Sequence, residues 1–99
     1  MELDLSEIRK DIDKIDTQLL ELFKQRMQLT GDLARYKAAN NIVVFQGYRE
    51  RAILYRVKEN SPEELRKSAA FLFMNIMDIS KCAQASDITP DTPIPHLTL

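Results

Sequence analysis

Residues 5–36 read LSEIRKDIDKIDTQLLELFKQRMQLTGDLARY, and the spacing of their apolar members decides the fold. Leu5, Ile8, Ile12, Ile15, Leu19, Leu22, Arg26, Leu29, Leu33 and Tyr36 recur in steps of three and four, which is one face of a helix with a heptad seam. Nine of these ten are apolar, and Arg26 is the exception. A guanidinium keeps its charge at any ordinary pH. Burying it unpaired is costly, so something must neutralise it. The positions three and four residues to either side hold Leu22, Phe23, Leu29 and Thr30, so no carboxylate of the same helix can do so. The sequence asks for an anion from elsewhere, a side chain or a ligand.

The helix opens near Asp4 to Ser6, where Asp4 followed by Glu7 has the form of a capping box. It meets no proline before about Ala38. At 1.5 Å per residue such a helix is about 50 Å long, whereas a compact globule of this size has a radius of gyration of about 13 Å. The helix overhangs any core its own chain can build. The exposed seam and its 3.5-residue period predict a partner chain, most simply a twofold homodimer.

Asn40-Asn41 ends the first helix, and Ile42-Val43-Val44-Phe45 reads as a packed apolar connector, since a lone strand has nothing to pair with. A second, shorter helix begins near Gly47 to Arg49, carries Ile53, Leu54 and Val57, and closes at Asn60. Ser61-Pro62-Glu63-Glu64 predicts a third helix with a serine cap and proline at its first position. Its apolar face is Leu65, Ala69, Leu72, Phe73, Ile76, Met77 and Ala83, and it ends near Ala85. The expected class is all-α: three helices per chain, the first very long, in an intertwined homodimer. The helical domain covers residues 1–85, and residues 86–99, with Pro90, Pro93 and Pro95, form a tail or the stub of a linker.

Fourteen basic residues against fifteen acidic ones give no bulk electrostatic case for nucleic acid or an anionic membrane. No apolar run approaches the length of about 18–20 residues that a membrane span needs, and the acidic N-terminus lacks a signal peptide's basic start. The single cysteine, Cys82, excludes an internal disulfide framework. A cytoplasmic protein is expected. His96 has no cysteine or histidine neighbour with metal-ligand spacing. Neither a nucleophilic triad nor a glycine-rich phosphate loop is present in the sequence, so neither metal nor cofactor is expected.

Lys37 follows Arg26 by eleven residues, about three turns, so the two project from nearly the same side with Cα atoms about 16 Å apart along the axis. Two long side chains leaning together suit a small dianion. Arg9 flanks the seam about 25 Å from Arg26 and reaches the same small ligand only across an antiparallel dimer, in trans. On the third helix Ser80 and Gln84 continue the face of Phe73 and Met77 with uncharged hydrogen-bonding groups, as a pocket wall requires. Arg49 and Glu50 sit at the start of the second helix. Each residue taken singly also has a structural explanation. Arg26 serves equally as a register-fixing polar residue, Arg9, Lys37 and Arg49 as surface charges, Ser80 as a group bonded to its own helix, and Cys82 as packing.

Together the pieces resemble the all-helical chorismate mutases over residues 4–85. The matching stretches are Ile8 to Asp16 (IRKDIDKID), Leu20 to Met27 (LELFKQRM), Ala34 to Lys37 (ARYK), Val44-Phe45 leading to Arg49-Glu50, and Ile76 to Ser80 (IMDIS) with Gln84. The resemblance implies a homodimer with two active sites, each taking Arg26, Lys37, Arg49, Glu50, Ser80 and Gln84 from one chain and Arg9 from the other. It implies the rearrangement of chorismate to prephenate. The three arginines would hold the two carboxylates, Lys37 and Gln84 would donate to the ether oxygen, Ser80 would assist a carboxylate, and Glu50 would accept from the ring hydroxyl. Gln46-Gly47 departs from the family's usual aspartate and proline, and that aspartate normally helps read the ring hydroxyl. The departure leaves room for related reactions on the same fold: pyruvate release from isochorismate, or rearrangement of 4-amino-4-deoxychorismate. A non-catalytic dimerisation or effector-binding module is the alternative of another class.

Overall fold

The computed structural model describes residues 3–42 and 47–85, the last two by their backbone alone. Three helices account for almost all of these: α1 (Leu5–Ala39), α2 (Gly47–Glu59) and α3 (Arg66–Ala85), with a short 3-10 turn over Glu63–Leu65 before the third. No strand occurs among the described residues. The fold class is the all-α one expected, with a first helix of 35 residues.

The ends of α1 are closed by local chemistry. The Asp4 carboxylate accepts from the Ser6 amide at 2.9 Å, satisfying a donor the first turn leaves open, with Glu7 in the same turn favoured by the helix dipole. At the other end Asn41 adopts a left-handed backbone, φ 56°. This turns the chain so that the Ile42 amide reaches the Lys37 carbonyl at 2.8 Å and the Asn41 amide the Ala38 carbonyl at 3.4 Å. That double closure is a Schellman motif, here with asparagine in the place glycine usually takes. The Asn40 side chain adds a bond to the Tyr36 carbonyl at 2.8 Å.

The start of α3 differs from the expectation. Ser61 does not cap it: the hydroxyl donates backwards to the Val57 carbonyl at 2.6 Å, closing the end of α2 together with the Asn60 amide group on the Arg56 carbonyl. Pro62 is extended, ψ 151°, and lies outside the helix. The Leu65 amide bonds to the Pro62 carbonyl at 3.0 Å, and the tight turn leads into α3 only at Arg66. A serine between two helices can satisfy the carbonyls of the one before it or the amides of the one after, and here the former wins.

In the chain taken alone, α3 is the centre, packing on α2 along one side and on the C-terminal half of α1 along another. The buried residues are Ile53 of α2 and Ala70, Met77 and Ser80 of α3. The surface of α1 that meets this core is Phe23, Met27, Thr30, Gly31 and Ala34, all half-buried, rather than the leucine seam. The seam itself stays open: Leu19, Leu22 and Leu29 are 55%, 61% and 66% exposed, and no residue of α1 is fully buried. Everything on α1 before Phe23 is exposed. Of the expected face of α3, Leu65 and Leu72 are exposed as well. The radius of gyration is 16.8 Å, against about 13 Å for a compact chain of this length. The apolar connector 43–45 and the tail 86–99 lie outside the described residues.

Candidate active site

Arg26 leaves the seam face of α1 and points at α3. Its Nη1 donates to the hydroxyl of Ser80 at 3.1 Å. Ser80 is buried, and its own proton is directed to the Ile76 carbonyl one turn back at 2.9 Å, with the Met27 sulfur a weaker neighbour at 3.6 Å. The hydroxyl thus anchors to its helix and offers its lone pair to the guanidinium. Ser80 thus bonds to its own backbone and at the same time faces the arginine.

Arg26 lies below the ordinary guanidinium value, first because burial penalises its charge and then because the Arg49 charge stands close. It remains a cation all the same. Two like charges near each other, one partly desolvated, repel one another, and an anion between them relieves that repulsion. Among the described residues neither Arg26 nor Arg49 forms an ion pair with a carboxylate. Ser80 is neutral and does not compensate them.

Glu50, one residue after Arg49 on α2, is half-buried and engaged. Lys81 on α3 bridges it to Asp78, with Nζ 3.1 Å from Glu50 Oε2 and 3.3 Å from Asp78 Oδ1. Burial alone would push the Lys81 ammonium down, but the hydrogen bonds and charges of the two carboxylates outweigh it and hold the group above its ordinary 10.5. Neither Lys81 nor Asp78 stood out in the sequence. Their spacing of three residues on one helix was the only signal, and it is a common one.

Lys37 is half-buried in the last turn of α1, on the side of Arg26. Arg9 is exposed on the overhanging half of the same helix, away from Arg26. Gln46 lies outside the described residues, and of Gln84 only the backbone, in the last turn of α3, is described. The structure therefore brings Arg26, Arg49, Ser80 and Glu50 to the junction of the three helices and leaves Arg9 remote within the chain. A cleft of about 270 Å³ between α1 and α3 is lined by Met27, Thr30, Gly31, Ala34, Arg35, Ala38 and Ala83. It contains none of the expected site residues.

The family model for chorismate mutase type II matches residues 8–85. The chain belongs to the type II chorismate mutase family. The match reaches into all three helices and covers the four residues of the junction, as well as Arg9 near its start and Gln84 near its end. No curated protein and no solved structure matches the chain. Among the described residues of this chorismate mutase family member, no helix is long and apolar enough to cross a membrane.

Proposed function

We propose that the chain is a chorismate mutase, an isomerase that converts chorismate to prephenate in the biosynthesis of phenylalanine and tyrosine, and that it acts as a homodimer. The observation that carries this assignment is the Arg26–Arg49 pair, two neighbouring cations without a carboxylate partner among the described residues. A substrate with two carboxylates is the counter-ion such a pair calls for.

The chemistry fits a site without a nucleophile. In the rearrangement the ether C–O bond breaks as a C–C bond forms, in one concerted unimolecular step. The protein need only hold the compact conformer and stabilise the charge that develops on the ether oxygen. Arg26 and Arg49 hold the carboxylates, joined by Arg9 of the partner subunit. Lys37 and Gln84 donate to the ether oxygen. Ser80 supports a carboxylate by fixing Arg26, and Glu50 accepts from the ring hydroxyl. The exposed seam of α1 supports the dimer, because a row of leucines at helical spacing open to water is stable only when a second chain covers it. The overhang of α1 supports the trans role of Arg9: about 25 Å separates it from Arg26 along the helix.

Gln46 supports a second reading within the same fold. A neutral acceptor in place of a carboxylate weakens the preference for a ring hydroxyl. Comparing chorismate, isochorismate and 4-amino-4-deoxychorismate by product analysis tests the assignment. Chorismate is expected to give prephenate with the highest kcat/KM. Faster pyruvate release from isochorismate makes the chain a lyase, faster turnover of the amino compound makes it the aminodeoxy mutase, and binding without turnover makes it an effector-binding module.

A further inference from the structure

We propose that Lys81 is a positioning residue that holds Glu50 in place to accept the substrate's ring hydroxyl; the proposal rests on the mutase assignment. The ion pair joins two helices, with Lys81 Nζ 3.1 Å from one Glu50 oxygen and 3.5 Å from the other. The pairs Lys24–Glu21 and Arg35–Asp32 lie three residues apart within α1 and fix nothing beyond their own turn. Asp78, 3.3 Å from the ammonium and three residues before it, ties Lys81 to its own helix. The lysine is therefore oriented from α3 before it meets α2.

A small cavity shows why a cation is needed there. Glu50 and Asp78 line one space of about 90 Å³ whose other walls are Leu54, Met74 and Met77. Two carboxylates facing a mostly apolar space repel one another. Lys81 stands between them and neutralises that repulsion. A carboxylate has about four acceptor sites, so the ammonium leaves capacity on Glu50 for a hydroxyl donor while removing the freedom of a three-torsion side chain. The lysine side chain is 37% exposed, and a pair that open adds little to stability. Its effect is on where the Glu50 oxygens stand.

The test uses the intact homodimer and two bicyclic dicarboxylate ethers that mimic the transition state, one bearing the ring hydroxyl and one lacking it. Their dissociation constants are measured by calorimetry for the parent protein, Lys81→Met and Lys81→Arg. Lys81→Met should weaken the hydroxylated compound about tenfold, as loss of one charge-assisted hydrogen bond does, and leave the deoxy compound within about twofold. Lys81→Arg, which keeps the cation, should recover most of the loss. Equal weakening of both compounds, or of neither, overturns the proposal. A parent protein that binds the hydroxylated compound but leaves chorismate unchanged contradicts the mutase assignment alone, and the comparison of the two compounds still decides the role of Lys81. A parent protein that binds neither compound overturns both.

Discussion

Arg26 on α1 donates to the hydroxyl of Ser80 on α3 across 3.1 Å, while the proton of that hydroxyl is held by the Ile76 carbonyl. The bond fixes a guanidinium without neutralising it. A carboxylate in that place would have satisfied the charge and closed the site to an anionic substrate.

Ser80→Ala removes the acceptor and leaves Arg26 to wander. We expect kcat/KM for chorismate to fall about tenfold, mostly through KM, with about 1 kcal/mol lost from stability. Steady-state kinetics and urea denaturation check the two parts. Unchanged kinetics would mean that Arg26 is held by other groups.

Lys81 gives a pH prediction. Its folded value is raised above the ordinary 10.5, so its contribution to stability is fully present below that value and disappears as pH rises through the folded value. The gap in Tm between the parent protein and Lys81→Met is expected to be small, because solvent screens the pair, and should be largest near neutral pH and shrink in strongly alkaline buffer. Thermal melts at both extremes read this directly, and a gap that persists in alkali contradicts it.

The sharing of sites between chains is tested by complementation. Arg9→Ala and Lys37→Ala should each reduce activity about a hundredfold or more, as removal of a charged group that stabilises the transition state does. Mixing the two inactive proteins under conditions of subunit exchange should restore activity, because a heterodimer carries one site with both defects and one with neither. Exchange without recovery would place Arg9 outside its partner's site.

Gln46→Asp restores a charged acceptor where the family usually has one. It should raise kcat/KM for chorismate severalfold relative to a substrate analogue without the ring hydroxyl. Parallel change on both substrates would show that position 46 does not read the hydroxyl.

The architecture was legible wherever a local rule governs it. The seam of α1 follows from period alone, Asn40-Asn41 stops the helix because asparagine tolerates the left-handed turn, and Asp4 caps because its carboxylate reaches a free amide. Ser61 misled because its hydroxyl can serve the helix before it or the one after, and only the path of the backbone decides. The face of α1 that packs on α3 is not marked in the sequence because Met27, Gly31 and Ala34 lie about 130° round the helix from the leucines and form no apolar stripe. In the candidate site Arg26 was conspicuous as a charge among leucines. Lys81 was not, since a lysine on a helix reads as solvated until a carboxylate from another helix is found beside it. Which charges stand together is a property of tertiary structure, and the Arg26–Arg49 pair likewise became visible only there.

The central claim is that the uncompensated Arg26 beside Arg49 receives the substrate's carboxylate and that the site rearranges chorismate. The most direct test follows chorismate by loss of its ultraviolet absorbance, with prephenate identified as product, for the parent protein and for Arg26→Gln. The account predicts enzymatic turnover by the parent and a fall in kcat/KM of about a thousandfold or more in the variant, with the helical content and Tm of Arg26→Gln kept. No turnover by the parent, or a variant as active as the parent, would contradict it.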